Sequence, residues 1–172
     1  MRLPRRGASG VATETGAAMV EFALVLPLLL LLVLAMTDFG KAFNYWVDET
    51  HLANEGARLA AVNGSAGNCP NGSAASSLAQ YIQCQADTNE LRNGGTSWLP
   101  QPVRVCITLP TNPATGTSGS VGDPVQVTVT ATYNWLGFVA PSVGATRTTI
   151  TGTSTMRLEA KPSYSNNLCY PA

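Results

Sequence analysis

Residues 17–37, AAMVEFALVLPLLLLLVLAMT, carry one charge, Glu21, and are otherwise dominated by Leu, Val and Ala. As a helix this run would be about 31 Å long, close to the hydrocarbon thickness of a bilayer. It predicts a single transmembrane segment. Arg2, Arg5 and Arg6 precede the run, whereas Asp38, Lys41, Asp48 and Glu49 follow it. An excess of basic residues on the N-terminal side places that end in the cytoplasm and the rest of the chain outside.

Three readings of the run compete. A secretory signal peptide would have the arginines as its charged region, Phe22–Ala35 as its apolar core, and Val33 and Ala35 as the small residues before a cut. An uncleaved signal anchor would keep the whole segment. A prepilin-type leader would be cut before the apolar stretch. Two features favour the third. Glu21 sits at the membrane edge of an apolar segment, where a carboxylate is costly and a signal peptide gains nothing from it. The apolar pattern also continues past Ala35 through Phe39, Phe43, Trp46 or Val47, Thr50, Ala53, Ala57 and Ala60 or Ala61, at helical spacing. One helix from Ala17 to Val62, about 69 Å long, is expected to end at Asn63-Gly64. Pro27 is expected to kink it, because proline removes a backbone donor and crowds the preceding turn.

Gly16, then Ala17-Ala18-Met19-Val20, then Glu21-Phe22 and ALVLPLLLLLVL, followed by Asp38-Phe39-Gly40-Lys41-Ala42-Phe43 and Ala53-Asn54-Glu55-Gly56-Ala57-Arg58, resemble the TadE-like family of tight-adherence pilus assembly proteins. The resemblance covers about residues 14–62 and is loose beyond. It implies cleavage after Gly16 by a prepilin peptidase, so that Ala17 begins the mature chain and Glu21 is its fifth residue. It further implies a pseudopilin or minor pilin that helps assemble or initiate Flp-type pili, which serve adhesion. The processing residues would be Gly16, Ala17, Glu21 and Phe22. The assembly helix would carry Pro27, Asp38, Phe39 and Phe43. Its implied surroundings are the bacterial inner membrane, crossed once with the body periplasmic or extracellular. The implied partners are the prepilin peptidase, other pseudopilins and pilus assembly proteins.

The domain plan is a cytoplasmic leader over 1–16, a transmembrane segment over 17–37, a helical extension over 38–63 and an extracytoplasmic body over 64–172. The body is rich in Gly, Ser, Thr, Asn and Pro. Gly64–Gly72 reads as a loop with its turn at Cys69-Pro70-Asn71-Gly72, and Ser76–Gln85 as a short helix with Leu78 and Ile82 inward. Val103, Val105 and Ile107 alternate with polar positions, as do Val125, Val127, Val129 and Ala131. A third, threonine-rich run covers Arg147–Ala160. Period-two alternation marks strands with one buried face. The segment Pro110–Pro124 reads as a mobile linker. The aromatic turn Tyr133–Phe138 reads as a loop tucked against the sheet in preference to a contact site. The expected fold is α+β and pilin-like, with a long N-terminal membrane-spanning helix packed on a small antiparallel meander.

Cys69, Cys84, Cys106 and Cys169 all follow the apolar run. An even number on the outer side of a membrane suggests disulfides. Of the three possible pairings the sequence selects none; Cys69 with Cys84 and Cys106 with Cys169 is preferred, since it would pin a loop to the short helix and the C-terminal tail to the sheet. No CxxC pair occurs, and His51, the lone histidine, is far from the cysteines in sequence, so zinc spacing is absent. No GxSxG elbow, P-loop or GxGxxG occurs either, and no catalytic residue, cofactor or metal is expected. Lys plus Arg, 10, equals Asp plus Glu, 10, which provides no broad field for nucleic acid. Two alternatives to pilus assembly are a membrane-tethered binding module of adhesin type and a secreted protein with a cleaved signal.

Overall fold

The structure, a computed structural model, describes the backbone of residues 11–135 and 147–171, with side-chain surroundings from Gly16 onward. Most of the expected leader, and Leu136–Phe138 of the aromatic turn, lie outside the described residues. The chain divides into two compact units, one reaching to Phe39 and one starting at Gly40.

Helix α1, Val11–Ala61, is 51 residues long and passes through Pro27. In the first unit its side chains from Gly16 to Val33 are all exposed. The α1 residues of the second unit pack on a sheet made of β1 (Arg104–Thr108), β2 (Pro124–Asn134), β3 (Arg147–Arg157) and β4 (Leu168–Tyr170). The strand order is β3-β2-β1-β4 and every pairing is antiparallel. Two short helices, α2 (Leu78–Cys84) and α3 (Asn89–Asn93), complete this unit. The fold is therefore α+β, a long apolar N-terminal helix with a small antiparallel sheet, as the sequence predicts.

Alternation along β1 and β2 puts Val105, Ile107, Val125, Val127, Val129, Ala131 and Tyr133 into the core. From α1, the residues entering that core are Ala42, Tyr45, Leu52, Ala53, Ala57 and Ala60. This is a different stripe from the expected one in its first half. Phe39, Phe43, Trp46 and Val47 are 64 %, 53 %, 47 % and 45 % exposed. Large apolar residues surround the helix between positions 39 and 47, so periodicity admits two faces. The sheet takes the face of small residues because the helix approaches closely. A Cβ on Gly56 would stand 3.0 Å from Ile82 Cγ2 and 3.2 Å from Val127 Cγ1.

The helix ends where glycine chemistry predicts. Asn63 has φ 53°, and the Gly64 amide donates to the Leu59 carbonyl at 2.8 Å. The C-terminal tail completes this end. Glu159 and Ala160 amides donate to the Ala61 carbonyl, Tyr164 Oη donates to the Ala60 carbonyl, and the Ser163 amide donates to Asn63 Oδ1 at 2.7 Å. Disulfides join Cys69 to Cys84 and Cys106 to Cys169. The second links direct ladder partners and holds β4 on β1.

Three features differ from expectation. Strand β4 and helix α3 form where no strand or helix was predicted, since three and five residues are too short to show a period. Strand β3 stops at Arg157, and Leu158–Ala160 turn to cap α1. Pro110–Pro124 is organised around Asp123. The Asp123 carboxylate accepts from Asn112 Nδ2 at 3.0 Å, Thr115 Oγ1 at 3.3 Å, Thr117 Oγ1 at 3.0 Å and the Ser120 amide at 3.0 Å.

Candidate functional site

The helix α1 carries the residues singled out from sequence. Gly16 lies inside it with open space where a Cβ would be. Ala17 and Glu21 are exposed, and Phe22 is 64 % exposed. Glu21 is flanked one turn away by Ala17, Ala18, Leu24 and Val25, all apolar. Among the described residues no basic group forms an ion pair with it. A carboxylate in an otherwise apolar helical run long enough to cross a membrane requires a positive partner or contact with the polar interface. Pro27 leaves the Ala23 carbonyl without its helical donor, so the span contains one weakened backbone position.

Asp38 is buried, whereas Phe39 is exposed. In the second unit Phe43 and Trp46 lie one turn apart with ring centroids at 5.6 Å, on the side of α1 away from the core. Lys41 sits 3.5 Å from Glu90 Oε2 and 3.5 Å from the centroid of Trp98. Tyr45 Oη donates to the same Glu90 carboxylate, and the Tyr45 ring packs on Tyr133 at 5.9 Å. Tyr133 also meets Trp135 edge-on at 5.1 Å, so the described start of the aromatic turn is tucked in.

Glu49 is fully buried on the sheet-facing side of α1. Among the described residues neither of its carboxylate oxygens has a hydrogen-bond partner. Burial, with the charge of Asp48 as a second cause, pushes its pKa up to about 8, so the group is protonated in the folded protein at neutral pH. Asp48 is also raised, first by burial and then by Asp87, with His51 opposing. A pocket of about 350 Å³ opens there between α1 and α2, lined by Asp48, His51, Leu52, Glu55, Tyr81 and Asp87. Among the described residues no group of His, Cys, Asp and Glu is arranged to hold a metal ion.

The structure thus pairs the four cysteines and leaves Gly16, Ala17, Glu21 and Phe22 on a bare helix surface. Glu49 and Lys41 were read from sequence as charges beyond the apolar run, Lys41 also as part of the motif, and Asp123 as part of a linker; the contacts they make here were not expected. The one sequence signal for Glu49 is its position four residues after Tyr45 and three before Leu52, on the buried stripe.

Residues 16–58 match the family model for TadE-like proteins. The match lies wholly within α1; the sheet is outside it. Neither a curated protein nor a solved structure matches the chain.

Proposed function

We propose that this chain is a membrane-anchored minor pilin, or pseudopilin, that takes part in assembling or initiating a Tad (Flp-type) pilus used in adhesion. The observation that carries the reading is Glu21. It is the one carboxylate of the exposed apolar run 17–37, five residues after Gly16, within the segment that matches the TadE-like family. Cleavage after Gly16 by a prepilin peptidase gives a free amine on Ala17. In a bundle of such helices the amine of one subunit neutralises the Glu21 of its neighbour, which offsets part of the cost of holding both in lipid.

In this reading residues 1–16 are a cytoplasmic leader, 17–37 cross the inner membrane, and the disulfide-bonded body lies outside, where disulfides persist. The other partners are further pseudopilins and pilus assembly proteins. The chain performs no catalysis of its own.

The test is the N-terminal residue of the protein purified from membranes, together with pilus counts for Glu21→Ala and Glu21→Gln at matched protein levels. The reading expects a start at Ala17 and loss of pili in both variants. A start at Met36, or full piliation in both variants, would overturn it.

A further inference from the structure

The two edges of the sheet are built differently. Strand β4 is three residues long, disulfide-bonded to β1 and followed by Pro171, so little of its edge is available. Strand β3 is 11 residues long and among the described residues pairs with β2 alone. Its register with β2 is one-for-one from Arg147 to Arg157, with no bulge. It contains no proline and no charge between its two terminal arginines. Proteins blunt exposed edges with short strands, prolines, bulges or mid-strand charges, and β3 has none of these. The residues Arg147, Thr148, Thr149, Thr151, Thr153 and Thr155 along it are exposed.

We infer that the β3 edge is a docking site for an extended segment of a different protein, which adds as a further strand and carries a carboxylate near each end. The backbone groups on the outer side of β3 supply the affinity, as in other cases of strand addition. Charge decides the occupant. A second copy of β3 pairing antiparallel in full register would set Arg147 against Arg157 at both ends, and a parallel pairing would set each arginine beside itself. Like charges directly opposite are destabilising, so the strand discriminates against its own copy in full register. A partner with acids at both ends turns both of those contacts favourable. At the Met156–Arg157 end a groove of about 700 Å³ opens between β3 and α1, lined by the apolar Leu59, Val62 and Met156, the arginines Arg58 and Arg157 and the carboxylates Glu55 and Glu159. Its apolar residues can take an apolar side chain of the incoming strand. This surface is separate from the residues on which the pilus reading rests.

The probe is a synthetic peptide as long as β3, alternating valine and threonine, with an aspartate at each end; a second peptide has lysines instead. Binding to the full chain in detergent micelles is measured by fluorescence anisotropy, and the site by hydrogen exchange. The aspartate peptide is expected to bind about tenfold more tightly than the lysine peptide, from two cross-strand charge pairs changing sign. It should slow exchange of β3 amides. The double variant Arg147→Glu/Arg157→Glu should reverse the preference with protection still confined to β3, an outcome that loss of folding cannot produce. Equal affinity for both peptides, no binding of either, protection away from β3, or a dimer of the unmodified chain with β3 protected would each overturn the inference.

Discussion

The main chain of α1 at Glu49 lies directly over Gly152 of β3: a Cβ on that glycine would stand 2.5 Å from the Glu49 carbonyl carbon and 2.6 Å from its oxygen. Both obstructing atoms are backbone, so no side-chain rotation relieves the clash. Gly152 faces Val129 across the ladder, at the level where the helix crosses the sheet. Gly152→Ala should therefore push the helix off the sheet and destabilise the body by about 1–3 kcal/mol, the range for overpacked sites. A urea titration followed by tryptophan fluorescence measures this. An unchanged midpoint would mean that the helix stands farther from β3 than this geometry requires.

The same crossing buries the Glu49 carboxyl, which has no hydrogen-bond partner among the described residues, and its titration has a definite sign. The folded protein holds the proton up to a pKa of about 8, and the unfolded chain releases it near the ordinary glutamate value of 4.5. Between those values the native state binds more protons, so stability falls as pH rises and then levels off above the upper one. Each unit of the difference corresponds to about 1.4 kcal/mol. Glu49→Met fills similar space with no ionisable group. It should flatten the pH dependence across this window and raise stability at pH 8, as read from urea midpoints in a pH series. A variant that keeps the wild-type slope would assign that slope to another group.

Much of this body was legible in sequence because its signals are local. Val125, Val127 and Val129 alternate with Gln126, Thr128 and Thr130, and that period of two fixes both strand and buried face. Asn63-Gly64 ends α1 through its own backbone conformation. Two things stayed hidden because they depend on distant partners. Phe39, Phe43 and Trp46 form as regular a helical stripe as Ala42, Tyr45 and Glu49, and only the close approach at Gly56 and Gly152 selects the second. The Asp123 loop gathers donors at 112, 115, 117 and 120, a spacing with no period. In the helix, Gly16 and Glu21 were legible as a motif because their spacing is local, whereas the role proposed for them involves neighbouring subunits.

The two disulfides should contribute unequally. Cys69–Cys84 spans 15 residues in sequence and Cys106–Cys169 spans 63. By chain entropy the shorter loop is worth about 3 kcal/mol and the longer about 4 kcal/mol. The longer one also retains β4, whose three ladder pairs with β1 are otherwise its only strand contacts among the described residues. Replacing Cys106 and Cys169 by serine should lower the thermal midpoint more than replacing Cys69 and Cys84. It should also speed amide exchange at Leu168–Tyr170. Equal midpoints would show that β4 holds without its covalent link.

Asp123 joins the threonine-rich loop to the end of β3. Its amide donates to the Ser120 carbonyl at 2.9 Å, its carbonyl accepts from the Leu158 amide at 2.8 Å, and the adjacent Gly122 amide donates to the Leu158 carbonyl at 2.8 Å. Burial acts to raise the pKa of its carboxyl. The hydrogen bonds from the Ser120 amide, Asn112, Thr117 and Thr115 outweigh that effect and hold it below the ordinary carboxylate value. A depressed folded pKa stabilises the protein above the unfolded pKa, and the contribution disappears as pH falls through the folded value. Asp123→Asn keeps the shape but loses the charge and one acceptor oxygen. It should remove the acid-side loss of stability that belongs to this group and accelerate exchange at the Ser120 amide, leaving the β1–β2 ladder protected. If Ser120 exchanges no faster in the variant, the backbone pairs with Leu158 and Ser120 hold the loop by themselves, and the carboxylate is not its organiser.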